Sequence, residues 1–579
     1  MPVTKSPLRA AFRRHLARLA ARRRESERVL LITLTAAFLQ SCGSGGGDTR
    51  PPEPAPIRCA APYPAEGLSP TRDPLVAQQW HLANTGQSGG EAGEDLRALA
   101  AWQRLRQAGC SPGGGVRIAV IDQAVDLAHE DLRDNSAAGL SFDYRDWTAN
   151  APLPRANDGL NPEQRGHGTA VAGIIAARGD NGVGGSGVAP LAQIAGYNAL
   201  IREGSISDAL KRNLEPIGAL GPIDVFHNSW GSPDSGRLEK AETGFTDAIE
   251  RGLVSGRRGL GALYVFSAGN GGCLGYPRTD CRDNVDLSNY DGYLNHRGVI
   301  VACAFDHKGK RPRWAERGSN LLVCGPSGPA LVLEASDRSA ITTTALDNGY
   351  RDDFANSSAS APMVSGVIAL MLSANVNLSA RDVRLILARS ARKNDPLDPD
   401  WEPGAGGGLP FSASYGFGAV DADKAVELAR NWKTVGTESE LLSCAATRTN
   451  NGSNGAPVAI PDAPAEGIAE VIRIDSSCAI SRIEHVELRL GIDHQYTGDL
   501  DIDLISPSGT RSLLARARDC GAPASGRTED CGQYNEAWPI TSVRHLDEPA
   551  LGDWHLRISD RTAGKIGSLR TWTLRIRGR

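Results

Sequence analysis

Between residues 73 and 432 the chain alternates short apolar runs, rich in β-branched and aromatic residues, with segments patterned for helices. "GVRIAVID", "APLAQIAGYNAL", "PIDVFHNSW", "GALYVFSAGN" and "GVIVACAF" are too short and too β-rich to be full helices and read as buried strands. Between them "GTAVAGIIAA", "GRLEKAETGFTDAIERGL" and "SAPMVSGVIALMLSAN" read as helices. Strands this uniformly apolar need cover on both faces, so the pattern predicts an α/β domain with a parallel sheet flanked by helices. Functional side chains should then gather at the C-terminal ends of the strands.

After "ADKAVELARNW" the pattern changes. "GTESELLSCAATRTNNGSNGAPVAIPDAPAEG" is polar and turn-rich. Beyond it "EVIRID", "RIEHVELRLGI", "DLDIDLISPSG", "WHLRISD" and "RTWTLRIRG" alternate apolar and polar positions between Gly, Pro and Asp turns, the signature of an all-β sandwich. A chain of 579 residues exceeds one ordinary core. The expected units are therefore 73–432 and 433–579. The 66 glycines and 34 prolines beside 40% hydrophobic residues describe a loop-rich globular protein. A formal charge of only −4, with both signs interspersed, gives no basis for a polyanion preference, and nucleic acid is not an expected partner.

The first 28 residues are crowded with Arg and Lys, and the apolar stretch 29–39 that follows is too short to span a bilayer. Residues 1–41 therefore read as a signal peptide. The sequence Leu39-Gln40-Ser41-Cys42 resembles a bacterial lipobox, with Gln40 larger than usual at its position. That resemblance implies a lipidated Cys42, a membrane anchor, a flexible tether over 42–72, and export to the cell envelope on its periplasmic or outer face. The other ten of the eleven cysteines fall as neighbours along the chain: Cys59 and Cys110, Cys273 and Cys281, Cys303 and Cys324, Cys444 and Cys478, Cys520 and Cys531. An even count in an exported chain reads as disulfides, although spacing leaves the connectivity open. Without a C-x-x-C pair or a nearby His cluster, zinc is disfavoured.

Chemistry concentrates at four points. Asp122 ends the strand "RIAVID", and His167 lies in "RGHGTAVAG", where a Gly-His-Gly turn is expected to open a helix. Ser358 precedes a helix expected to begin near Ala359, with Pro362 in its first turn. Acyl transfer needs these three types: a hydroxyl that yields its proton to an imidazole, and a buried carboxylate that holds the imidazole in one tautomer. Asn270, just beyond "VFSAG", could donate its amide to a developing oxyanion.

In the order Asp, His, Asn, Ser, with these flanks, the four resemble the subtilisin superfamily over about 360 residues. The stretches "DPLVAQQWHLANTGQ", "HNSWGSPDSG", "NYDGYLN" and "YGFGAVDADKAVELARNW" resemble its kexin and furin-like branch. The second unit is similar to that branch's P domain through "HQYTGDLDIDLISPSGT" and "LGDWHLRISDRTAGKIGSLRTWTLRI". The resemblance implies a serine endopeptidase, expected to be monomeric and acting on proteins or peptides. Asp122, His167 and Ser358 would be its triad and Asn270 its oxyanion donor. Ser229, Trp230 and Gly231 would bind substrate. Asp234 and Asp291 match the carboxylates facing the P1 side chain, where they would hold Arg or Lys by charge-assisted hydrogen bonds. The P2-side acids are replaced by Gln123 and Gln164, and the P4-side acid falls near Lys240, beside Glu239 and Glu242. Cleavage is therefore expected after a single Arg or Lys, without a dibasic requirement.

The resemblance also implies Ca2+. One site would use Asp73, Asp131, the Asn181 side chain and the carbonyls of Arg178, Val183 and Gly185; another would use Asp234, Asp286 and Glu316. A third family site matches only Asp143 and is not expected here. Asp499, Asp501 and Asp503 read as a solvated sheet face in preference to a calcium cluster. Two departures stand out. Asp122-Gln123-Ala124 lacks the family's glycine, and Asn356-Ser357-Ser358 replaces Gly-Thr-Ser. Asn tolerates left-handed geometry and Ser357 keeps the hydroxyl, so the site is read as active. About 30 residues between Cys42 and Asp73 leave little room for a pro-domain. The competing readings are an inert surface binding protein and a peptidase of broad specificity.

Overall fold

The computed structural model describes residues 59–63, 72–218, 220–272, 286–328, 339–449, 456–463, 466–520 and 531–579. The signal peptide, Cys42, most of the tether, and Cys273 with Cys281 lie outside them.

Six strands form the first sheet: β1 (Arg117–Ile121), β2 (Gln193–Tyr197), β3 (Val225–Asn228), β4 (Leu263–Ser267), β5 (Val299–Phe305) and β6 (Leu321–Pro326). Their order is β2-β1-β3-β4-β5-β6 and every pairing is parallel. Nearly every strand residue is buried, as expected of a sheet covered on both faces. The five strands expected from the sequence are present, and β6 joins them as an edge strand tied to β5 by the Cys303–Cys324 disulfide.

Among the described residues six longer helices accompany the sheet: α1 (Ala98–Gln107), α2 (Pro162–Ala176), α3 (Phe245–Ser255), α4 (Ser357–Ala374), α5 (Ala380–Ser390) and α6 (Ala422–Asn431). The hairpin β7 (Ile341–Thr344) and β8 (Tyr350–Phe354) leads into α4, and a short pair, β9 (Trp401–Glu402) and β10 (Phe411–Ser412), follows α5. By length and composition α4 could cross a membrane, but 94% of it is buried inside the protein, which makes it the central core helix. The expected helix from Gly236 is helical only from Phe245. Gly244, at φ 88°, stops it, and Glu239 instead pairs with Asp291 as a short β-bridge.

The C-terminal part is a sandwich of antiparallel sheets. β11 (Leu442–Thr449), β12 (Val458–Ile460), β13 (Ile468–Ile474), β14 (Ile483–His494), β15 (Leu500–Ile505), β16 (Arg511–Ala515), β17 (Pro539–Ser542), β18 (Gly552–Asp560) and β19 (Gly567–Gly578) build it. One sheet runs β11-β19-β14-β17 with β12 also on β19, and the other runs β13-β18-β15-β16. The stretch read as polar and turn-rich contains β11, an edge strand with mostly exposed side chains that pairs along β19. Only its Cys444 and Ala446 are half-buried, against the sandwich core, and two such small residues mark no hydrophobic alternation.

Disulfides join Cys59–Cys110, Cys444–Cys478 and Cys520–Cys531 as well as Cys303–Cys324. Leu287 and Tyr290, from the first part of the chain, belong to the sandwich core with Trp554 and Trp572. Both parts pack into one compact unit, Ile57–Arg579.

Candidate active site

Asp122 follows β1 directly and is fully buried. Its Oδ1 accepts the Gln123 N–H at 2.8 Å, and its Oδ2 lies 2.8 Å from His167 Nδ1. His167 is not at a helix-opening turn. Helix α2 begins five residues earlier, with Pro162 at its first position and a capping box between Asn161 and Gln164, so His167 projects from the helix body. Gly168 is what the expected turn glycine is for. A Cβ there would meet the Ala124 carbonyl oxygen at 2.2 Å and Asp122 Cβ at 2.9 Å, so only glycine lets α2 approach the end of β1. Ala124 itself has no positive φ, and the glycine missing from Asp-x-Gly leaves no strain. Burial alone would lower the His167 pKa, but the charge and hydrogen bond of Asp122 hold it above its ordinary value. The ring meets Phe354 edge-on, with centroids 5.5 Å apart.

Ser358 is the second residue of α4, where the helix dipole is positive. Its Oγ donates to the Ser229 carbonyl at 3.1 Å, and no hydrogen bond joins it to His167. Tightening of that contact belongs to the substrate complex in many serine enzymes. Helix α4 starts two residues before the expected Ala359, so Pro362 lies inside it and not in the first turn. The register Ile121↔Asn228 sets Asp122 level with Ser229, and hence with Ser358. Asn270, beyond β4, has its side-chain orientation fixed. Oδ1 accepts the Ser357 N–H at 2.9 Å and the Ser357 hydroxyl at 2.7 Å, which leaves the Nδ2 hydrogens to offer to the cleft. Ser for Thr at 357 thus keeps a hydroxyl with a defined partner.

Asn356 corrects the sequence reading. At φ 66° and ψ −176° it is not in the left-handed helical region that Asn tolerates but in a region occupied essentially by glycine alone. Its carbonyl is held by Ser327 Oγ at 2.8 Å and by the Ala359 N–H at 3.0 Å, and its side chain does not cap the helix.

A cavity of about 250 Å³ opens beside Ser358 and Asn270, lined by Ser229, Trp230, Gly231, Asp234 and Asp291. Asp291 is engaged by Ser232 N at 2.7 Å, Ser232 Oγ at 3.0 Å and Tyr293 N at 2.8 Å, and burial pushes its pKa up to about 6. Asp234, Asp286 and Glu316 place ligand oxygens within 4.8 Å of one another at the same cavity. Burial and mutual repulsion push Asp286 and Glu316 far above the carboxylate range, and burial also raises Asp234. Gly269, at φ 101°, makes room for this cluster, since a Cβ there would stand 2.1 Å from Glu316 Oε1. Three such acids fit a hard divalent cation.

At the other calcium candidate the loop 178–185 wraps two acids. Asp73 accepts the N–H groups of Asp180 and Gly182, and Asp131 accepts those of Gly185 and the Asn181 side chain. Burial, with Asp73 and Glu130 nearby, raises Asp131 to about 7, and burial raises Asp73. The two acids suit a cation, whereas Asn181 turns its amide hydrogens toward Asp131 and would have to rotate to ligate. The Arg178 N–H bonds the Asp131 carbonyl, and the Val183 N–H bonds Asn181 Oδ1.

Asp143, matched from the sequence alone to a third family site, is bonded by Arg145 Nη2 at 2.7 Å, Arg155 Nη2 at 3.1 Å and Asn198 Nδ2 at 2.8 Å. Asp503 on β15 is buried against Arg511 and Arg516, and Asp501 accepts the Ala517 N–H, so ion pairs replace the expected solvated face. Gln164 is spent on the α2 cap, and Glu242 accepts the Ser207 N–H at 2.6 Å. Sequence reasoning passed over His227, Phe354 and Ser365. His227 was legible as a polar residue inside "DVFHNSW", an otherwise apolar strand.

A model of the subtilase family matches residues 113–418, more than half of the chain, and a model of the proprotein convertase P-domain matches residues 483–576. The chain belongs to the subtilase family. Kexin of Saccharomyces cerevisiae is 32% identical over 543 residues, covering 91% of this chain and 60% of kexin. Human furin is 32% identical over 516 residues, covering 87% of this chain and 58% of furin. The subtilase thus spans roughly 60% of the length of these relatives. Among solved structures, the serine protease of Aeromonas sobria superposes with a TM-score of 0.74 at 25% identity, covering 93% of this chain and 99% of that one. The same protease in complex with its chaperone gives 0.73 at 26% identity, covering 90% and 99%. A subtilisin-like domain followed by a P domain is therefore the architecture.

Proposed function

We propose that the protein is an exported serine endopeptidase with Asp122, His167 and Ser358 as its triad. The observation that carries this is the buried Asp122–His167 pair set level with Ser358, beside an Asn270 amide oriented by Ser357. In the reaction the Ser358 hydroxyl turns from the Ser229 carbonyl to His167 Nε2, gives up its proton and attacks the scissile carbonyl. Asp122 keeps the proton on Nδ1 and stabilises the imidazolium. Asn270 Nδ2 donates to the oxyanion. His167 then passes its proton to the leaving amine, and water repeats the sequence on the acyl-enzyme. We divide the chain into a peptidase domain over 73–432 and a P domain over 433–579.

The acids at the cavity support selection of Arg or Lys at P1, and the neutral Gln123 and Gln164 support a relaxed P2. Bound Ca2+ would neutralise Asp234, Asp286 and Glu316, and separately Asp73 and Asp131, supplying structural charge balance and no step of the chemistry. Lipidation at Cys42 would fix the monomeric enzyme to the envelope. The alternative is an inert binding protein, which the strained Asn356 favours.

One experiment tests these together. The purified protein is treated with a fluorophosphonate, the labelled residue is mapped, and a peptide library is profiled with and without a calcium chelator. Label on Ser358 with P1 Arg/Lys enrichment supports the proposal. No label establishes the inert reading, and label without P1 enrichment establishes a broad peptidase.

A further inference from the structure

Pro362 has no N–H, so the helical bond that residue 362 would close onto the Ser358 carbonyl is missing inside α4. A carbonyl that loses its helical donor in this partly closed site needs a replacement partner. Ser229 Oγ supplies it at 3.1 Å, while Ser358 Oγ donates to the Ser229 carbonyl at the same distance. The two residues clasp each other across the gap between the end of β3 and the start of α4.

Behind Ser229 stands His227, on β3 and fully buried. Its Nε2 lies 2.7 Å from Ser229 Oγ and its Nδ1 2.9 Å from Ser365 Oγ. Ser365 is seven residues beyond Ser358 and shares its face of α4. The direction of the chain follows from the donors. Ser229 spends its hydroxyl proton on the Ser358 carbonyl, so its oxygen accepts Nε2–H, and Nδ1 accepts the Ser365 hydroxyl. Only a neutral imidazole can donate on one side and accept on the other. Burial enforces neutrality, holding the His227 pKa down near 3.

We propose that His227 is a positioning residue for the nucleophile, acting through Ser229 to fix the backbone of Ser358 and the resting direction of its hydroxyl. The inference rests on the serine-peptidase reading above. An apolar residue at 227 would leave the Ser229 hydroxyl free to rotate away and orphan the carbonyl that Pro362 exposes. Gln spans a similar distance with one acceptor and one donor, so it can stand in for the ring.

The test compares His227→Leu, His227→Gln, Ser365→Ala and Ser229→Ala with the wild type. It measures kcat, KM, the second-order rate of fluorophosphonate labelling, and the thermal midpoint. Loss of one oriented hydrogen bond predicts that His227→Leu lowers both kcat and the labelling rate by about tenfold, with KM within about twofold. His227→Gln should recover most of the loss, and His227→Leu with Ser229→Ala should be no slower than Ser229→Ala alone. Should His227→Leu fail to fold, Ser365→Ala, a smaller change at the far end of the chain, should still lower the labelling rate. A labelling rate unchanged in His227→Leu, or in Ser365→Ala where Leu does not fold, overturns the proposal, as do effects that multiply in the double variant. Wild type that takes no label at Ser358 overturns instead the peptidase reading on which it rests.

Discussion

Asn356→Gly is the substitution most directly calculable from the backbone. Asn356 sits at φ 66° and ψ −176°, one residue before α4 and two before Ser358. An L-residue in that region costs about 1–3 kcal/mol. Glycine removes the strain but adds freedom to the unfolded chain, worth about 0.5–1 kcal/mol. The Asn356 side chain has no capping hydrogen bond to forfeit. The carbonyl contacts from Ser327 and Ala359 belong to the backbone and survive. The balance favours glycine by about 0.5–2 kcal/mol, which for a unit as large as Ile57–Arg579 corresponds to a rise of about 0.5–2 °C in the thermal midpoint.

Differential scanning fluorimetry reads that shift, and the fluorophosphonate rate reads the consequence next door. Ser357, which orients Asn270, follows the strained residue directly, so relief at 356 should leave the labelling rate equal to wild type or higher. Asn356→Ala is the control. It keeps the positive φ, and so should be no more stable than wild type. Equal gains from Ala and Gly would trace the effect to the side chain and refute the strain argument. A midpoint lowered by Gly would refute it outright. A labelling rate more than about tenfold lower in the glycine variant would mean that the Asn amide takes part in the chemistry.

Asp122→Asn should keep the fold and lower the labelling rate of Ser358 by about 10⁴, as loss of the orienting carboxylate does in serine proteases generally; a loss below about tenfold would dismiss the triad assignment. Asn270→Ala should lower kcat by about 10²–10³, the range for an oxyanion donor in subtilisin, with little change in KM. Without divalent cation, stability should fall as pH rises from the ordinary carboxylate range near 4 toward 8. The folded protein there binds more protons than the unfolded chain, because Asp286 is raised to about 8 and Glu316 is raised with it. Added Ca2+ should flatten that slope and raise the midpoint most at high pH, and a chelator-insensitive midpoint across that range would count against the cluster as a cation site.

The parallel sheet was legible because its strands are buried on both faces and carry continuous apolar runs, while β11 was not, since an exposed edge strand shows no alternation. The positions of Asp122, Asn270 and Ser358 at element ends followed from those runs. His167 was found by residue type but misplaced, because the α2 start is set by Pro162 and an Asn161–Gln164 cap five residues upstream of the Gly-His-Gly triplet. The conformation of Asn356 could not be read from composition, since a left-handed residue and this extended, positive-φ one look alike until ψ is known. Likewise nothing in the sequence around Asp143 showed that Arg145 and Arg155 close on its carboxylate.

The segment from Asp286 to Asp291 shows why two units read separately in sequence behave as one around the cleft. Its ends carry Asp286, in the acid cluster, and Asp291, on the cavity wall. Between them Leu287 and Tyr290 are buried in the core of the sandwich. Arg518, from the sandwich, lies 3.6 Å from the Tyr290 ring and bonds the Gly236 carbonyl, two residues beyond Asp234. The Asp286 carboxylate accepts the Gly236 N–H at 2.9 Å, which ties the same turn from the opposite side. A displacement of the sandwich would therefore move Tyr290 and Gly236, and with them three of the acids at the cavity. Close-packed cores shift as units and do not stretch. The spacing of those acids is thus a property of the interface between the two domains as much as of the peptidase domain that contributes them.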